Sequence, residues 1–182
     1  MKSFFAGLGL AFLLLAQPAF AVPKTDPANT LVIELKTGKV YIELLSKIAP
    51  LHVARVKQLA RSGFYNGIIF HRVIKGFMAQ TGDPTGTGTG GSKLGPLKAE
   101  FSSTPFERGT VGAARTQDPN SADSQFFICY THTPFLNGQY TVWGRVVEGM
   151  QYVDEIAKGE PPAKPDKMLR VYILKDGPGK KT

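Results

Sequence analysis

No part of this chain between residues 30 and 175 stays apolar for long. Leu31-Val32-Ile33-Glu34-Leu35 and Val40-Tyr41-Ile42-Glu43-Leu44 are strand-length runs, and Thr37-Gly38-Lys39 turns one into the other as a hairpin. Similar runs, rich in β-branched and aromatic residues, recur at 68–74, 78–82, 109–115, 125–130, 141–147 and 168–174, most of them bounded by glycine, proline or polar residues. Only two stretches carry helical spacing. One spans 50–61, where Pro50 suits a first turn, Leu51, Val53, Val56, Leu59 and Ala60 recur at helical intervals, and Gly63 follows as a cap. The other is short and built on Met150, Val153 and Ile156. Strands that follow one another without helical crossovers pair antiparallel. The pattern therefore predicts an all-β domain with two helices: a closed eight-stranded antiparallel β-barrel capped by an α-helix at each end, which leaves no free edge. The 182 residues are one domain's worth, and a 42% hydrophobic content supplies its core.

Residues 1–21 stand apart from this pattern. Lys2 precedes an apolar run at 4–16, Pro18 breaks it, and Ala19-Phe20-Ala21 offers small residues at the positions a signal peptidase reads. The run is short for a membrane span. The expectation is a signal peptide over 1–21, cleaved after Ala21, and a single exported domain over 22–182, free of the membrane. The formal charge of +8 invites a polyanion partner. The basic residues are scattered, however, with Lys180-Lys181 as the one doublet, so no specific nucleic acid is expected. Cys129 is the single cysteine, which rules out an intramolecular disulfide, and no histidine adjoins it to make it a nucleophile.

The densest chemistry lies in Phe70-His71-Arg72-Val73-Ile74-Lys75-Gly76-Phe77-Met78-Ala79-Gln80-Thr81-Gly82. Strand alternation puts Arg72 on one face with Phe70 and Ile74, and His71 on the other with Val73 as a satisfied structural histidine. Gly76 permits a turn, after which Met78 and Gln80 share a face. A fixed cation beside a greasy patch with an amide at its rim suits a ligand that is apolar at one end and polar along its backbone. Small residues at 109–114 leave room for such a backbone to pass. In 125–130, Gln125, Phe127 and Cys129 share one face, and Phe126, Ile128 and Tyr130 face the interior. The glycine-rich stretch 82–96 fails the phosphate-loop pattern, because Gly91-Ser92-Lys93 has the wrong order and no helix follows. It also fails the dinucleotide fingerprint and the nucleophile elbow. His52, His71 and His132 lack ligand spacing, so neither metal nor cofactor is called for. Trp143 reads as a core residue.

Taken together these motifs resemble the cyclophilins, the peptidyl-prolyl cis-trans isomerases. The likeness covers about residues 30–175, and together with the signal peptide it implies a periplasmic bacterial member of the family. It rests on Phe70-His71-Arg72-Val73-Ile74 with Gly76-Phe77-Met78-Ala79-Gln80, then Gly88-Thr89-Gly90-Gly91, Ser124-Gln125-Phe126-Phe127-Ile128, Phe135-Leu136-Asn137-Gly138 and Val142-Trp143-Gly144-Arg145-Val146. The resemblance implies a catalytic role for Arg72, and a proline pocket made by Phe77, Met78, Phe127 and Leu136. It implies substrate-binding amides on Gln80 and Gln125, and a peptide-binding backbone over Ala114, Arg115 and Thr116. Phe135 and Tyr140 join the binding set as departures: many eukaryotic members carry tryptophan and histidine there. That tryptophan helps hold cyclosporin, so weak cyclosporin binding is expected. Arg115 stands where the family usually has asparagine. The implied partners are proline-containing polypeptides, with a monomer as the default state. The alternative is a non-catalytic proline-peptide-binding chaperone module with the same groove.

Overall fold

The structure, a computed structural model, describes residues 24–179. The signal-peptide segment and its cleavage site lie outside them. Eight strands form: β1 (Thr30–Glu34), β2 (Lys39–Leu44), β3 (Arg72–Ile74), β4 (Met78–Thr81), β5 (Thr110–Ala113), β6 (Phe126–Cys129), β7 (Val142–Glu148) and β8 (Arg170–Ile173). The helices are α1 (Pro50–Arg61) and α2 (Met150–Asp154). Among the described residues no helix is long and apolar enough to cross a membrane.

All strands belong to one antiparallel sheet in the order β3-β4-β6-β5-β7-β2-β1-β8. The expected closed barrel is not what forms. The sheet curls into an open half-barrel, and its edge strands β3 and β8 share no ladder. The reason is local. The Val73 amide donates to the Gly159 carbonyl at 2.8 Å, and the Gly159 amide donates back at 2.9 Å. A loop thus occupies the outer edge of β3, where a closing strand would have to pair. Across the remaining gap only flanking residues meet, as in the isolated bridge between Ile69 and Lys167.

The concave face holds the main core. Leu31, Ile33, Ile42, Val111, Phe126, Ile128, Trp143 and Ile173 pack there with Val53, Val56, Leu59 and Ala60 of α1. Trp143 and the inward set of β6 lie as their alternation requires. Phe70 does not: it is buried with Val73 in this core, because β3 begins only at Arg72 and the residues before it are not extended in register. A second cluster of Met78, Phe106, Phe127, Cys129, Leu136 and Val142 lies apart from the main core. His71 is buried as expected, but neither ring nitrogen has a hydrogen-bond partner among the described residues, so it is not the satisfied histidine anticipated.

Helix α1 starts without a side-chain cap from its own N-cap residue, Ala49. A distant carboxylate serves instead. Glu100 accepts the amides of Leu51 at 2.9 Å and His52 at 3.0 Å, and lies 2.6 Å from His52 Nδ1. It satisfies amides that an α-helix leaves open and places negative charge at the positive end of the helix dipole. Glu100→Ala is expected to cost about 1–3 kcal/mol, a lost cap plus a buried imidazole left unpaired, read by urea denaturation. A pH dependence follows from the two buried histidines. Burial is the main cause that lowers the pKa of His52, against the pull of Glu100, and that of His71, against the pull of Asp83. As pH drops below about 6.5, the unfolded chain takes up protons that the folded chain refuses. Stability held at neutral pH should therefore fall on mild acidification, and His71→Phe should blunt that loss. A urea midpoint independent of pH through this range would contradict it.

Candidate active site

Register, rather than any single loop, assembles the site. Arg72 of β3 lies opposite Gln80 of β4, Gln80 opposite Phe127 of β6, and Phe127 opposite Gly112 of β5. These residues form a row across four strands, on the face opposite the main core. Gly112 is required there. A Cβ on it would fall 2.6 Å from Phe127 Cζ and 2.7 Å from Phe106 Cε1, so any side chain would displace the two stacked rings. Phe127 in turn meets Tyr140 edge-on, with ring centroids 5.7 Å apart.

Beside this row is a cavity of about 130 Å³. Its walls are Arg72, Phe77, Met78, Gln80, Ala114, Arg115, Phe127, Leu136 and Tyr140, all singled out in the sequence. Two further candidates stand beside it. Phe135 is 67% exposed and leans on Phe77, with ring centroids 5.5 Å apart. Gln125 sits at the rim, accepting from Gln80 Nε2 at 2.9 Å and donating to the carbonyls of Gly88 and Gly90, both at 2.9 Å.

The Arg72 guanidinium is held from its outer side. Nε donates to Glu160 Oε2 at 2.9 Å, while Nη1 stands 3.5 Å from Gln80 Oε1, at the limit of hydrogen bonding. Sequence reasoning missed Glu160. It lies 88 residues from Arg72, in a loop with no motif, and only the Val73–Gly159 backbone exchange brings it there. With Nε engaged, the two terminal nitrogens remain as donors at the cavity wall.

A larger cavity of about 650 Å³ adjoins the first and shares Gln80, Ala114 and Arg115 with it. The glycine loop forms its far side. That loop is built on buried Asp83, which accepts from Thr85 N and Oγ1 at 2.7 Å, Gly88 N at 2.6 Å and Gly90 N at 3.1 Å. Burial alone would raise the Asp83 pKa, but these hydrogen bonds outweigh it and hold it at about 2.

Covalent chemistry finds no footing in the obvious place. Cys129 is buried, and burial pushes its thiol up to about 11 despite a contact from Thr133. His132 pairs with Glu107 at 2.9 Å instead. An apolar slot with a charged donor on its wall and amides at its rim is equipped to hold an extended backbone and hydrogen-bond one of its atoms.

Comparison with known proteins gives a consistent result. The family model described as cyclophilin type peptidyl-prolyl cis-trans isomerase/CLD matches residues 30–174. A protein of Brucella suis named "Probable peptidyl-prolyl cis-trans isomerase" is 53% identical over 167 residues, covering 83% of this chain and 85% of its own. The human "Peptidyl-prolyl cis-trans isomerase-like 3" is 38% identical over 151 residues, covering 81% and 93%. The crystal structure of a cyclophilin from Hirschia baltica superposes with a TM-score of 0.78 at 32% identity, over 84% of this chain and 76% of that one. A cyclophilin-type isomerase from Cryptosporidium parvum, crystallised in the presence of the dipeptide Ala-Pro, superposes with a TM-score of 0.74 at 31% identity, over 79% and 98%.

Proposed function

This chain belongs to the cyclophilin-type peptidyl-prolyl cis-trans isomerases, and from that premise we propose that Arg72 speeds rotation about X-Pro bonds of exported polypeptides, with no covalent intermediate. Rotation about a peptide bond costs ~18–20 kcal/mol because the nitrogen lone pair is shared with the carbonyl. Proline narrows the gap between cis and trans to about 0.5–1 kcal/mol but leaves the exchange slow. No bond breaks, so neither nucleophile nor acid–base pair is needed. In the twisted transition state the lone pair localises on the prolyl nitrogen, which becomes a hydrogen-bond acceptor.

The observation that carries the reading is the Arg72 guanidinium at the wall of the 130 Å³ cavity, beside Phe77, Met78, Phe127 and Leu136. The proline ring enters the apolar slot, and a terminal guanidinium nitrogen hydrogen-bonds the prolyl nitrogen as it pyramidalises. Gln80, Gln125 and the backbone over 114–116 hold the flanking peptide. Each tenfold of rate needs about 1.36 kcal/mol, so a 10⁵-fold acceleration needs roughly 7 kcal/mol, within reach of a charged donor acting in a partly dry slot. Phe135 offers no ring N–H, which fits weak cyclosporin binding.

Arg72→Ala is expected to lower kcat/KM for a proline peptide by roughly 10²–10³ while leaving the urea midpoint near that of the parent chain. Turnover unchanged in that variant would remove the arginine from the mechanism and favour a passive peptide-binding module. The place of action is the periplasm on this reading, because the 1–21 segment has the charge, apolar run and small-residue site of an export signal. Expression of the full chain in a Gram-negative host should yield a periplasmic product beginning at Val22. An unprocessed product retained in the cytoplasm would refute export.

A further inference from the structure

We propose that the enzyme prefers proline peptides bearing a carboxylate side chain on one flank of the proline, and that Arg115 selects them; this rests on the isomerase reading above. Arg115 lines both cavities and so stands where the chain flanking a bound proline must pass. Its guanidinium is held in place. Nε and Nη2 donate to the Gln139 carbonyl at 3.2 and 2.8 Å, and Nη1 donates to the carbonyls of Thr116 at 2.8 Å and Gln117 at 3.3 Å. The group also lies 4.5 Å above the centre of the Tyr140 ring. Fixing an arginine costs side-chain entropy, and here the protein's own carbonyls have already met that cost before substrate arrives.

What these contacts do not supply is a counter-charge. Two other charged groups at the cavities do have one: Arg72 pairs with Glu160 at 2.9 Å, and Asp123 with Arg55 at 2.5 Å. Arg115 makes no ion pair among the described residues, and Asp118 on the neighbouring loop is engaged by the Asn120 amide instead. Lys93, exposed on the far side of the larger cavity, is likewise without an ion pair among those residues. Two positive charges therefore face the larger cavity without compensation. A carboxylate entering there meets a preorganised cation with one N–H still unused, and an ammonium meets repulsion.

The test is a set of Ala-Ala-Pro-Ala peptides in which each alanine in turn becomes Glu, Gln or Lys, with isomerisation followed by NMR exchange so that no coupling protease imposes its own preference. At one position the Glu peptide should exceed the Lys peptide in kcat/KM by about 3–10-fold at low salt, with Gln between them, and the ratio should shrink toward unity at high salt. Arg115→Gln should bring the ratio within about twofold at low salt, and Lys93→Gln should lower it in part. Equal rates for Glu and Lys at every position, or a preference that salt leaves intact, overturns the proposal whether or not the Arg115→Gln chain folds. A preference that persists in folded Arg115→Gln removes Arg115 from it. Failure to accelerate any peptide is a different result, one that overturns the isomerase reading itself and this proposal with it.

Discussion

Two adjacent rows of residues across β3, β4, β6 and β5 determine everything else in this molecule. Val73, Ala79, Ile128 and Val111 are paired in register and buried in the concave core. One residue along each strand, Arg72, Gln80, Phe127 and Gly112 are paired in the same way on the opposite face. Because side chains alternate, the apolar row cannot be in the core unless the polar row is where it is, and a slip of one residue would exchange them. Core burial is thus the force that aims the site. The geometry around the guanidinium is held by the hydrophobic effect acting one residue away, more than by the weak contacts of the guanidinium itself.

Those weak contacts still have a job. Arg72 is 41% exposed and Glu160 52%, so their ion pair is screened and worth little as a fold-stabilising interaction. Its consequence is directional. It engages Nε and leaves the terminal nitrogens for the cavity, and it restricts a long side chain whose freedom would otherwise be lost on binding substrate. The amide chain from Gln80 through Gln125 to the Gly88 and Gly90 carbonyls does the same for the rim.

Most of this was legible in the sequence where the information is local. Each strand is a short run with its own alternation, and β6 could be divided correctly into Phe126 and Ile128 inward and Phe127 and Cys129 outward. The cavity residues come from four such runs and two turns, each with a recognisable order. What escaped was either a local break or a long-range encounter. Alternation extended back from Arg72 puts Phe70 on the same face, but the residues before Arg72 are not in the strand. The burial of His71 is foreseeable from its place in the run, whereas the partners of its ring nitrogens are not. Glu160 carries no local signal, since its meaning depends wholly on which strand its loop lands beside.

The open sheet and the missed carboxylate are one fact seen from two sides. A strand edge presents a row of unpaired N–H and C=O groups, and closing a barrel is one way to satisfy them. Here a strand would bring regular alternation to the edge of β3, whose outward residue is Arg72. The loop brings Gly159 instead, which closes two hydrogen bonds with Val73 and then turns away. Its φ of +147° and a would-be Cβ only 2.6 Å from Pro162 Cα show that this turn has no room for a side chain. The next residue is Glu160. A closed ladder would have satisfied the same backbone groups, but it would have continued past Arg72 rather than stopping with a carboxylate beside it. The departure from closure is therefore local to the site: the loop that interrupts the sheet is also the one that orients the guanidinium.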